Sequence, residues 1–260
     1  MNVFILTDLE GIAGVDSIDF MDRQGVLYQK ARNLLTEELI FAGEVCREMG
    51  ADNIYFLDGH GGGGNIHPEL IPGWLRQCSL GTWQQLLRDG AIDCQIELGT
   101  HARAGTTGGF LDHTLSSKTV YSHKINGIEY GELGLHALLC GNYGVPIVFC
   151  SGDEVACHQA KEYIPGIFTT PVKHAKVRNT AATYPDARQR LRSGITAALA
   201  HYQEIPPCRP QLPAQVTVTY YRTDMCEEVF ARHHREAVRQ DARTLTKSVE
   251  KITSYYDLRF

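Results

Sequence analysis

The chain has 260 residues, 43% hydrophobic and 21% charged, with a formal net charge of −5 and a pI near 6.1. That length supports a sizeable core, as one large α/β domain or two lobes. The acidic balance argues against nucleic acid or an anionic membrane as the main partner, and no apolar run approaches the roughly twenty residues needed to span a bilayer.

Val3 to Thr7 is a short apolar, β-prone run of the kind that forms a buried strand. It ends abruptly in Asp8-Leu9-Glu10-Gly11. Ligands of open α/β sheets sit beyond the carboxyl ends of strands, so charge placed there is aimed at a site. Asp8 and Glu10, two apart, leave the same face of extended backbone. Such a pair repels unless a cation or a shared proton holds it together. A loop with Asp16, Asp19 and Asp22 follows. Leu35, Leu39, Ala42, Cys46 and Met49 then mark one face of a helix, with Gly50 at the C-cap position. Asn53 to Leu57 reads as a second strand, closing a parallel β-α-β unit. It leads into Asp58-Gly59-His60 and four glycines, 61 to 64. These glycines fit neither a phosphate-binding P-loop nor a dinucleotide fingerprint. They read as a loop that lets backbone come close to a metal or substrate.

Residues 66 to 92 carry no clear pattern, and Trp74 and Trp83 are expected to pack a helical or irregular segment. Cys94 to Gly99 is a third strand, ending in Thr100-His101-Ala102-Arg103, and His113 follows a loop rich in glycine and threonine. Residues 120 to 129 predict a hairpin around Asn126-Gly127. Glu132 opens an apolar helix running through Leu139, where an acidic residue favours the macrodipole by under about 1 kcal/mol. A strand over 145–150, a helix to Tyr163 and a helix over 184–202 complete the region 1–204. Pro206, Pro207, Pro210 and Pro213 mark 205–213 as a linker. The remainder, 214–260, predicts a strand at 216–221, a helix at 225–238 and a strand at 245–252, with His233 and His234 on the surface. The expected fold class is α/β: a three-layer α/β/α arrangement with a mostly parallel sheet and a smaller C-terminal α+β lobe. The eight cysteines are scattered with no C-x-x-C pair, and no signal peptide is recognisable, so a reducing cytoplasm is the expected location.

The polar strand ends collect Asp8, Glu10, His60 and His101, with Glu132 at a helix start and His113 in a loop. Carboxylates mixed with imidazoles suit borderline divalent metals, zinc first. Five ligands exceed one tetrahedral ion and fit two ions sharing a carboxylate, the arrangement of many hydrolases.

These same stretches resemble the DppA-type zinc D-aminopeptidases, a family of dinuclear metallopeptidases. The resemblance lies in Thr7 to Gly14, Asp58-Gly59-His60, Gly99 to Ala104, His113 and Gly131 to Leu135, and continues less specifically through Ser151-Gly152-Asp153 and Pro171-Val172-Lys173. It implies that Asp8 bridges two zinc ions, with Glu10, His60, His101 and Glu132 as the other ligands and His113 as the catalytic residue. It further implies release of an N-terminal D-residue, such as D-Ala, from short peptides, and a homodecameric ring. Chemical grounds favour water as the attacking group, with His113 moving protons or steadying the oxyanion. The chain departs from the family at Gly59, where serine is usual, and at Gly61 to Gly64, where bulkier residues stand. Two other readings fit the first strand: a haloacid-dehalogenase-like phosphatase using Mg²⁺, which has no use for His60, His101 and Glu132, and a non-catalytic, metal-stabilised binding protein.

Overall fold

The computed structural model describes residues 1–260. The apolar start forms β1 (Asn2–Thr7), with Val3, Phe4 and Ile5 fully buried. The periodic segment is the long helix α1 (Val26–Glu48), whose Leu35, Leu39 and Cys46 face the core. β2 (Asn53–Asp58) pairs with β1 in parallel, as a β-α-β crossover requires. The segment without a clear pattern supplies a short β3 (Leu75–Gln77) and α2 (Leu80–Arg88), the latter capped by Ser79 and anchored by the fully buried Trp83.

β4 (Cys94–Thr100) lies on the other side of β1. β5 (Val120–Ile125) and β6 (Ile128–Glu129) form the predicted hairpin, with Asn126 and Gly127 both at positive φ, as a type I′ turn demands. α3 (Glu132–Asn142), β7 (Ile147–Asp153) and α4 (Glu154–Tyr163) follow. A hairpin of β8 (Phe168–Val177) and β9 (Thr180–Thr183) then leads to α5 (Ala187–Ala200). The last part carries β10 (Ala214–Tyr220), α6 (Thr223–His233), β11 (Val238–Arg239) and β12 (Thr244–Val249). The helix expected to reach residue 238 thus stops at His233, and the strand expected over 245–252 ends at Val249.

The larger sheet runs β3-β2-β1-β4-β7-β8-β9, parallel throughout except for the edge strand β9. α1 packs with α5 on one face. α3 packs on α4, and Trp83 of α2 meets His136 of α3 edge to face, on the other. The chain is therefore a three-layer α/β/α fold with a mostly parallel sheet. The smaller antiparallel sheet runs β11-β12-β10-β5-β6, so the C-terminal strands are built onto the hairpin at 120–129. One continuous apolar core joins Val3 of β1 to Leu245 of β12 and Leu258 near the C-terminus. No helix is long and apolar enough to cross a membrane.

From β1 the chain crosses to β2 on one side, while β4 starts the run toward β7 on the other. A reversal of this kind opens a crevice at the carboxyl ends of the two central strands. β1 and β4 approach closely there: Gly11 N–H donates to the Gly99 carbonyl at 2.8 Å. A Cβ on Gly99, whose φ is +75°, would stand 2.1 Å from the Asp8 carbonyl oxygen. Only glycine fits that crossing.

Candidate metal centre

All six predicted residues converge on this crevice. Asp8 and Glu10 follow β1, His60 follows β2, His101 follows β4, and Glu132 opens α3. His113 arrives on the long loop after β4, between Leu111 at φ +49° and Leu115 at φ +63°. Non-glycine residues rarely adopt that region, and such strain collects at functional sites. The carboxylate of Glu132 holds the loop by accepting from Leu115 N–H at 2.9 Å.

Two groups of potential ligands result, Asp8 with Glu10 and His60, and His101 with His113 and Glu132. Within each, the ligand atoms lie within 4.8 Å of one another. His60 Nδ1 is 3.1 Å from Asp8 Oδ1 and 3.0 Å from Glu10 Oε2. His101 Nε2 is 3.2 Å from Asp8 Oδ2 and 3.3 Å from Glu132 Oε1. Asp8 thus stands between the groups, one oxygen toward each. His113 Nε2 lies 3.7 Å from Glu132 Oε1, and its ring stacks on His101 at 3.9 Å.

The ring tautomers follow from their outer partners. Nδ1 of His101 donates to the Ala102 carbonyl at 3.0 Å, and Nδ1 of His113 donates to the Leu111 carbonyl at 2.8 Å. Each neutral ring is thereby left with a lone pair on Nε2, turned to the carboxylates, the outer-shell arrangement that orients metal-binding imidazoles. Nε2 of His101 is buried and has no hydrogen bond of acceptable geometry. Two carboxylates at an orphaned imidazole nitrogen, with Glu10 and His60 beside them, make a donor set that fits divalent cations.

Without a cation, protons carry the compensating charge. Burial disfavours a charged His60, yet the Glu10 and Asp8 carboxylates push its pKa up to about 11. His101 is likewise raised, against its burial, by Asp8 and Glu132. Burial opposes ionisation of the carboxylates too, but the two imidazoles hold Asp8 well below its usual range, and His101 brings Glu132 down to about 2.

A cavity of about 1250 Å³ opens over these groups. Its wall also includes Glu97, His136, Tyr255, Tyr256 and Arg259, none of them marked by a sequence motif, and Trp83, expected only to pack. Behind the cluster stands Lys173, quoted in the family resemblance without a function and 0% exposed. Its only sequence signal was a lone lysine beside apolar Val172.

A family model described as D-aminopeptidase matches residues 1–259. The D-aminopeptidase of Bacillus subtilis (strain 168) is 31% identical over 219 residues, covering 81% of this chain and 78% of that protein. Among solved structures, "Zn-dependent D-aminopeptidase DppA from Bacillus subtilis, a self-compartmentalizing protease" is similar at TM-score 0.91 and 23% identity, with 99% of this chain and 95% of that one covered. These matches leave the phosphatase and binding-protein readings without support. A family match of that extent, together with a curated relative above 30% identity, shows that this chain belongs to the D-aminopeptidase family.

Proposed function

We propose that the chain is a metal-dependent aminopeptidase that removes the N-terminal residue, a D-amino acid such as D-Ala, from short peptides at a site for two zinc ions. The observation that carries this reading is the division of Asp8, whose two oxygens face His60 and His101 separately. Asp8 would bridge, Glu10 and His60 would complete one ion's ligands, and His101 and Glu132 the other's. Zinc bound there supplies Lewis acidity that polarises a scissile carbonyl and acidifies water.

The protein's own part begins with His113. Its Nδ1–H is held by the Leu111 carbonyl, so Nε2 is the atom free to take a proton from the attacking water and return it to the leaving amine. The loop glycines 61 to 64 are anchored by Asn65, whose side chain donates to the His60 carbonyl at 2.7 Å and to Asp58 at 2.9 Å. That network sets His60 in place, and Arg23 donates to the Gly61 carbonyl at 3.0 Å, so the glycine loop lines the cavity wall held from both ends.

The relative described as self-compartmentalizing supports a homo-oligomer here, which we read as a decameric ring. Eight free cysteines, seven of them buried, support a reducing compartment such as the cytoplasm. We also read 214–260 as a lobe that serves the catalytic region 1–204 across the 205–213 linker, because it delivers Tyr255 and Arg259 to the cavity.

One purified sample tests the reading. Metal per chain is measured by elemental analysis, and D-Ala-D-Ala, L-Ala-L-Ala and p-nitrophenyl phosphate are offered before and after chelation. About two zinc per chain, with D-peptide cleavage lost on chelation, is the expected result. Magnesium-dependent phosphatase activity without peptide cleavage would overturn it.

A further inference from the structure

A second strand-to-helix pair lines the same cavity, beside the metal cluster and outside it. Glu97 of β4 lies against His136 of α3, with His136 Nδ1 3.1 Å and 3.2 Å from the two carboxylate oxygens. Both residues are buried, at 3% and 7% exposure. A carboxylate only accepts here, so Nδ1 carries the hydrogen and Nε2 is the ring atom left for the cavity. The remaining partners of Glu97 are internal: Gln95 donates to it at 2.8 Å, and Trp83 Nε1 donates to Gln95 at 2.9 Å. The polar chain Trp83–Gln95–Glu97–His136 is therefore satisfied except at its last atom.

Two more donors line the same part of the cavity. The Tyr255 ring lies 5.2 Å from the His136 ring, and its hydroxyl is buried without a hydrogen-bond partner. The Arg259 guanidinium stacks on Tyr255 at 5.0 Å and also lines the cavity. An unpartnered hydroxyl at such depth costs free energy unless a ligand engages it. Although burial opposes a charged His136, the Glu97 carboxylate beside it raises its pKa. A protonatable imidazole, a hydroxyl and a guanidinium on one cavity wall make a set of groups suited to an anion.

The spacing along α3 relates this group to the metal cluster. Glu132 and His136 are four apart on α3, so they share a face with their backbones roughly 6 Å apart along the axis. One residue of extended peptide spans roughly 3.5 Å, and a terminal carboxylate reaches beyond that by a C–O bond. We propose that His136, Tyr255 and Arg259 form a subsite for the C-terminal carboxylate of a dipeptide whose scissile carbonyl lies at the metal cluster. The subsite rests on the peptidase reading above, and it gives the C-terminal segment a recognition role. Substrates longer than a dipeptide place a neutral peptide group where the charge belongs, and bind less well.

The test separates binding from turnover. Zinc-loaded, full-length His113→Ala protein is titrated calorimetrically with D-Ala-D-Ala and with its C-terminal amide. The free acid should bind at least about tenfold more tightly, which is 1.4 kcal/mol. His136→Gln added to that protein should bring the ratio close to one, and Tyr255→Phe, which removes only the hydroxyl, should lower it severalfold with circular dichroism unchanged. Equal affinity for acid and amide would overturn the subsite, as would a ratio that survives both substitutions. Cleavage by the unaltered enzyme is scored separately: a tenfold ratio with no cleavage sustains the anion subsite and overturns the peptidase reading instead.

Discussion

The buried ammonium of Lys173 donates to the backbone carbonyl of Glu10 at 2.8 Å. It also reaches the Val15 carbonyl and lies 5.0 Å over the Phe110 ring. Lys173 comes from β8, three strands away from β1 in the sheet, yet it ties down both ends of the loop that carries Glu10. Lys173→Met keeps much of the side-chain volume and removes both hydrogen bonds, leaving two buried carbonyls without a donor. Loss of outer-shell support of this kind lowers metal affinity by about 10- to 100-fold. Competition with a chromophoric chelator should show that loss of zinc affinity, and an unchanged affinity would remove Lys173 from the site's support.

Asp8 and His113 occupy the same crevice but should fail differently. Asp8→Ala takes away the carboxylate whose two oxygens face His60 and His101, so metal content and peptide cleavage should vanish together. His113→Ala should keep about two zinc per chain and lose cleavage by about 10²- to 10⁴-fold, the usual contribution of a positioned proton carrier. His113 also lies within ligand distance of His101 and Glu132. If the His113→Ala protein bound one zinc fewer, His113 would be a ligand and its assignment as the proton carrier would be wrong.

Zinc uptake should be steeply dependent on pH. The ion-free protein holds protons on His60, at a pKa of about 11, and on His101. A ligand imidazole must give up that proton, so at pH 7 each such histidine costs one proton displaced on binding. Affinity should therefore rise with pH between 6 and 8, by about tenfold per unit for each proton displaced. Chelator competition at several pH values measures the slope, and a flat profile would mean that neither imidazole binds the ion.

The strand ends were readable because charge after a short apolar run has few structural uses. Asp8, Glu10, His60 and His101 each stand one to three residues past a buried strand, and the parallel crossovers carry them to one edge. Gly99 and Gly11 read less fully: the sequence shows small residues, while the reason, a backbone crossing too tight for any Cβ, exists only once β1 and β4 are adjacent. Glu97, His136 and Tyr255 were not legible at all. Glu97 and His136 lie inside apolar runs where one polar residue suggests little, and Tyr255 reaches the cavity from the far end of the chain. The β8–β9 hairpin was hidden for a related reason. Phe168 to Val177 carries Lys173, His174 and Lys176 among apolar residues, and only burial against Glu10 and Val15 explains a lysine there.

Glu38, outside the ligand set, offers a pH test of stability. It is buried in α1, where desolvation raises its pKa to about 7 even though its carboxylate accepts from Ala13 N–H at 3.2 Å. The folded state then binds its proton more tightly than the unfolded chain, whose value is near 4.5. Stability from this group is fully present below pH 4.5 and is lost as pH rises through 7. Glu38→Gln carries no such dependence and can still accept the Ala13 hydrogen bond. Relative to the unaltered protein, it should gain about 2–3 kcal/mol between pH 5 and pH 8. Denaturant unfolding at the two values reads that difference directly, and equal offsets at both would mean that Glu38 titrates like an exposed carboxylate.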